Sequence, residues 1–168
     1  MNGNLSTSGP EFRLRAARPE DVPVLVELIR SLAEYERQPQ DCFADAALLA
    51  GHLFGPRPYC EVILAESAGA AVGFALFFHN YSTWLTKPGL YLEDLFVRPE
   101  ARGWGVGRAL LTRLAQIAVE RGCGRMEWSV LTWNEPAIGF YRKLGAVPMD
   151  GWQVYRLAGE ALERLGHP

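Results

Sequence analysis

Between Tyr91 and Arg121 the chain passes from an apolar strand pattern, Tyr91-Leu-Glu-Asp-Leu-Phe-Val97, through Arg98-Pro-Glu-Ala101 into a loop with glycine at alternate positions, Arg102-Gly-Trp-Gly-Val-Gly107. Val106, Leu110, Leu114, Ile117 and Ala118 then recur at helical spacing, so the loop opens directly into a helix N-terminus. Gly103, Gly105 and Gly107 leave little side-chain bulk, and backbone N–H groups can approach a ligand closely. A helix N-terminus favours anions, and Arg102 and Arg108 add charge that suits a pyrophosphate better than a single carboxylate. A plain strand-to-helix turn using glycine is the alternative. The phosphate loop Gly-x-x-x-x-Gly-Lys-Ser/Thr is absent, and a dinucleotide loop would need glycine where Arg108 stands.

Glu93 and Asp94 interrupt a strand that is otherwise apolar at Leu92, Leu95, Phe96 and Val97. A buried carboxylate is costly unless paired or hydrogen-bonded. Strand alternation predicts that the two acids point to opposite faces and do not share one role. Asp94 reads equally well as a satisfied structural acid.

A length of 168 residues predicts one domain, residues 11–168, behind a polar flexible tail at residues 1–10. A net charge of -2 leaves no basic footprint, which argues against nucleic acid and accommodates a small cationic substrate. Cys42, Cys60 and Cys123 lack metal or redox spacing; they predict reduced thiols in the cytoplasm, with no metal site. No apolar run approaches the ~20 residues of a membrane span.

In chain order, Glu11 to Ala17 alternates as a half-exposed strand. Pro19, Glu20 and Asp21 open a helix to about Glu36, with Val22, Leu25, Val26, Leu28, Ile29 and Leu32 buried. Ala44 to Phe54 is a second helix, and Tyr59–Glu66 and Ala71–His79 form a hairpin through Ser67-Ala-Gly-Ala70. A connection from Asn80 to Gly89 leads into the central strand. After the central helix come a strand from Arg125 to Leu131 and a helix started by Asn134-Glu-Pro136, with Ile138, Tyr141 and Leu144 inward. A last strand, Gly151 to Leu157, and a short helix, Gly159 to Leu165, follow. This order predicts an α/β fold, a mixed sheet with helices on both faces.

Arg102-x-x-Gly105-x-Gly107 after a strand resembles the acetyl-coenzyme A signature of the GNAT superfamily of N-acetyltransferases. Trp133-Asn134-Glu135-Pro136 and Phe140-Tyr141-Arg142-Lys143-Leu144-Gly145 resemble the last motif of that domain. Leu32-Ala-Glu-Tyr-Glu36, Tyr81-Ser-Thr-Trp84, Tyr91-Leu-Glu-Asp94 and Gly151-Trp152 extend the likeness to the spermidine/spermine (diamine) N-acetyltransferase family. Polyamine-using members carry an acid beside the loop tryptophan; Ser82-Thr83 here is similar to the branch that acetylates thialysine.

The resemblance implies the GNAT acyltransferase fold, acetyl-CoA as donor, coenzyme A as product, a small amine as acceptor, and a homodimer. It implies catalytic roles for Glu93 as base and Tyr141 as acid. The donor would contact Leu95, Phe96, Val97, Arg102, Gly103, Trp104, Gly105, Val106, Gly107, Arg108, Asn134, Tyr141 and Lys143. Tyr35, Glu36, Trp84, Glu93 and Asp94 would face the amine, although Tyr35 and Glu36 also fit a merely solvated surface. A peptide acceptor and a non-catalytic acetyl-CoA sensor are the alternatives. A sensor has no need of Glu93 and Tyr141 together.

Overall fold

The computed structural model describes residues 10–167, so the tail expected over residues 1–10 lies, Pro10 apart, outside the described residues. These divide after Ser129 into two compact units.

The first unit contains β1 (Arg13–Ala16), α1 (Val22–Tyr35), α2 (Ala46–Phe54), β2 (Glu61–Ser67), β3 (Ala70–Ser82), β4 (Lys87–Val97), α3 (Val106–Glu120) and β5 (Met126–Trp128). The strands form one sheet in the order β1-β2-β3-β4-β5. Neighbours are antiparallel except β4 and β5, which are parallel. A parallel pair needs a crossover, and α3 supplies it.

Alternation along the strands sorts the core. Val62, Leu64, Phe74, Leu76 and Phe96 pack with Leu25, Leu28 and Leu32 of α1 and Leu53 of α2. On the other face, Ile63 and Phe77 line a cavity with Ile117 of α3, and the Arg121 guanidinium lies 5.9 Å from the Phe77 ring centroid. Helices therefore cover both faces, as the order of elements predicts. The stripe of α3 is buried as spaced: Val106, Leu110, Leu114, Ile117 and Ala118, with Leu111.

Asp21 does more than favour a helix start. It is buried, and both of its oxygens accept from Arg15, at 2.6 and 2.8 Å, while the Arg18 backbone N–H donates to it at 2.7 Å. Arg15 Nε also donates to Glu66 at 2.8 Å, which ties β1, β2 and the turn before α1 together.

Several boundaries differ from expectation. Residues 80–89 are not a long connection: β3 runs to Ser82 and β4 starts at Lys87, leaving a turn at residues 83–86. Ladder pairing extends both strands, a gain that composition alone does not report. The strand expected over Arg125–Leu131 is only Met126–Trp128.

The second unit, from Val130, holds α4 (Glu135–Lys143) and α5 (Gly159–Gly166). Asn134 caps α4, accepting from Ala137 N–H at 3.3 Å, as its position predicts. No residue of α4 is fully buried: of the residues expected to face inward, Ile138 and Tyr141 are half-buried, whereas Leu144 is exposed. The last strand expected at Gly151–Leu157 is absent; this segment is irregular and exposed. A strand exists only where a neighbouring edge pairs with it, and alternating apolar residues do not create that edge.

Candidate active site

The central strand departs from regular pairing at the two acids. Leu76 of β3 stands opposite Asp94, but the next residue, Phe77, stands opposite Leu92. Glu93 is therefore the extra residue of a β-bulge, which breaks the alternation predicted to send Glu93 and Asp94 to opposite faces. The β4–β5 pairing ends one residue earlier, at Leu92 opposite Trp128, while β4 continues to Val97. Bulge and parting of strands coincide, so the β4 edge from Glu93 to Val97 runs on beyond its pairing with β5.

Asp94 lies opposite Leu76 on the face covered by α1. Burial pushes its carboxyl from 3.8 up to about 6, and the charges of Glu93 and Glu36 act in the same direction. Burial likewise raises the Glu36 carboxyl. Cys60 is pushed up by burial and then by Asp94, Glu61 and Glu93. Glu36, Glu93 and Asp94 thus form one acidic locality that favours a cation. Glu36 is fixed by the end of α1, where Arg37 takes a φ of 64°. Arg37 N–H donates to Glu34 at 3.0 Å and Gln38 N–H to Ala33 at 2.9 Å, a Schellman end formed without glycine.

After β4, a short 3-10 turn at Pro99–Ala101 leads to Arg102. Gly103 and Gly105 have φ of 84° and 88°, a left-handed conformation that costs little only for glycine. Gly105 precedes the first turn of α3, and no side chain caps that helix. A Cβ at Gly103 would meet nothing within 4 Å, so the loop is open as well as strained for other residues. Open backbone, an uncapped helix start and the exposed Arg102 and Arg108 fit a pyrophosphate-bearing group. Val106 is fully buried, so its side chain packs the core and only its backbone faces the loop. Trp104 and Gly107 are half-buried.

Tyr35 joins the two halves of this locality. The Arg102 guanidinium carbon lies 4.7 Å from the Tyr35 ring centroid, and Arg102 Nε donates to the Val97 carbonyl at 3.2 Å. Leu95 and Val97 are half-buried and Phe96 is in the core.

Trp84 is not brought to the acids within this chain. It sits on the β3–β4 turn with 89% of its surface exposed. The seven steps along β4 from Lys87 to Asp94 span roughly 20 Å of strand. Ser82 is buried, and its hydroxyl accepts from Leu85 N–H at 3.2 Å and from Arg125 at 3.3 Å. It stabilises the turn. Asn134, Tyr141 and Lys143 belong to the second unit; Asn134 and Tyr141 are seven residues apart, about two helical turns, while Lys143 is exposed.

Residues 24–146 match the model of the Acetyltransferase (GNAT) family. The chain belongs to this family. It is 34% identical to the thialysine N-epsilon-acetyltransferase of Bos taurus, over 90% of this chain and 95% of that one. It is 33% identical to an L-ornithine N5-acetyltransferase of Arabidopsis thaliana, over 91% of this chain and 87% of the other. The structure of an integron cassette protein from the mobile metagenome of V. cholerae superposes with a TM-score of 0.80 at 28% identity, covering 95% of this chain and all of that one. The GNAT fold and an acetyl-transferring activity follow. Among the described residues no helix is long and apolar enough to cross a membrane, and no cluster of His, Cys, Asp and Glu could hold a metal ion.

Proposed function

We propose that the protein transfers the acetyl group of acetyl-CoA to a primary amine of a small cationic molecule, with thialysine or another lysine-like amine ahead of polyamines. The observation that carries this reading is the acidic bulge on β4, with Glu93, Asp94 and Glu36 in one electrostatic locality beside an open glycine loop. Ser82 supports the lysine-like preference by its identity alone, since its hydroxyl is committed to the turn.

Bound acetyl-CoA supplies an acetyl thioester, whose carbonyl carbon takes the amine. The backbone N–H groups of Gly103 and Gly105, the start of α3, Arg102 and Arg108 hold the pyrophosphate. The β4 edge from Leu95 to Val97 offers backbone N–H groups to the carbonyl oxygen. An alkylammonium has a pKa near 10.4, so freeing its lone pair at neutral pH costs about 4 to 5 kcal/mol. Glu93 accepts that proton, directly or through water, and Asp94 and Glu36 draw the cation in. Tyr141 protonates the departing thiolate and Asn134 steadies the donor's arm, roles that rest on the family resemblance. The same resemblance supports a homodimer. Exposed apolar side chains in the second unit, Trp152, Val154 and Tyr155 among them, give such an interface material. Three unpaired cysteines support a cytoplasmic setting.

The test is release of coenzyme A with thialysine, lysine, ornithine, spermidine and a lysine peptide supplied separately. A higher kcat/KM for the amino acids upholds the reading. A preference for spermidine or the peptide replaces it.

A further inference from the structure

Tyr35 fits two roles in the site, a wall for the amine or a support for the donor. Its ring carries the Arg102 guanidinium on one face, at 4.7 Å. The same guanidinium uses Nε on the Val97 carbonyl at 3.2 Å. No carboxylate among the described residues pairs with Arg102. The ring contact consumes no N–H of the guanidinium, so its terminal N–H groups stay available to a further partner. A phosphate is such a partner.

We infer that Tyr35 is a positioning residue for the donor: its ring pre-orders Arg102 beside the glycine loop, so Tyr35 acts on pyrophosphate binding and not on amine recognition. This inference rests on reading residues 102–108 as the donor cradle. Held by its Nε bond to Val97 alone, the exposed arginine would keep side-chain freedom, and losing that freedom at the moment of binding weakens the complex. An arginine–aromatic stack at a surface is equivalent to about two- to fivefold in affinity. The arrangement also links the end of α1, which carries Glu36, to the loop that opens α3.

The experiment is calorimetric titration of the full chain with coenzyme A for Tyr35→Phe, Tyr35→Leu, Arg102→Ala and the double variant Tyr35→Leu/Arg102→Ala, together with KM for donor and amine. Tyr35→Leu is expected to weaken coenzyme A about two- to fivefold, and Tyr35→Phe, which keeps the ring, to restore most of that loss. KM for the amine should move less than the affinity for coenzyme A. In the Arg102→Ala background the leucine substitution should have no further effect, whereas a general folding defect would persist there. The inference is overturned if Tyr35→Leu leaves coenzyme A affinity unchanged while Arg102→Ala lowers it, or if the two losses are additive. If Arg102→Ala itself leaves coenzyme A affinity unchanged, the cradle reading fails and the inference fails with it.

Discussion

Leu76 and Asp94 face each other across the β3–β4 ladder, an apolar core residue opposite a carboxylate on the side of the sheet that α1 covers. The pairing puts the acid where its charge is poorly solvated and holds its pKa at about 6 instead of 3.8. Between those two values the folded protein binds more protons at Asp94 than the unfolded chain. Its stability therefore falls as pH rises from about 4 to about 6, and levels off above. Asp94→Asn should remove that decline. Urea unfolding is expected to show the variant and wild type similar near pH 4, and the variant more stable at pH 7.5 by on the order of 2 kcal/mol. Equal stabilities at pH 7.5 would mean that Asp94 is solvated.

Arg15 and Asp21 make the opposite case. The hydrogen bonds from Arg15 hold the Asp21 carboxyl below its ordinary 3.8. The stability they contribute is present above that value and is lost as pH falls through the lowered folded value. Asp21→Asn leaves Arg15 without one of its two acids and should destabilise the protein by about 2 to 4 kcal/mol at pH 7. Thermal unfolding against pH checks both signs: the difference between the variant and wild type should shrink as pH falls below 4.

Gly103→Ala isolates backbone conformation from packing. The added methyl meets no neighbour, but φ of 84° is strained for alanine, at about 1 to 2 kcal/mol. The expected result is a modest loss in melting temperature and a larger loss in coenzyme A affinity, measured by calorimetry, because the ligand would meet the methyl. Unchanged affinity would place the donor away from this glycine.

Glu93→Gln should lower kcat by about 100-fold or more and flatten the rise of rate with pH, with coenzyme A binding intact. If the slope survives in Glu93→Gln and disappears in Asp94→Asn, Asp94 is the base.

Tyr141→Phe keeps the ring and deletes the hydroxyl. With saturating donor, turnover is expected to fall by about 100-fold, and a more acidic leaving thiol should recover part of the loss. Wild-type turnover would remove the acid role.

The acids at 93 and 94 show how far the sequence could be read. Their presence in an apolar strand is legible from composition, and so is the cost that marks them as unusual. Their relation to each other is not, because a bulge is set by the register of β3 against β4, and the residues on either strand do not announce it. Gly151–Leu157 failed for a related reason. Its apolar alternation suits a half-buried surface, but pairing requires an edge supplied by another part of the chain.

By itself the sequence determined the run from strand through glycine loop to helix between Tyr91 and Glu120, the stripe of α1, the cap at Asn134, and the family. Each depends on residues within a few positions of one another, through hydrophobic period, turn chemistry and helix-end hydrogen bonds. Tertiary structure alone decided the bulge at Glu93, the grip of Arg15 on Asp21, the burial of Ser82 and the stacking of Tyr35 under Arg102. Those depend on strand register and on side chains far apart in the chain, and chain connectivity carries no record of such distances until the core has closed.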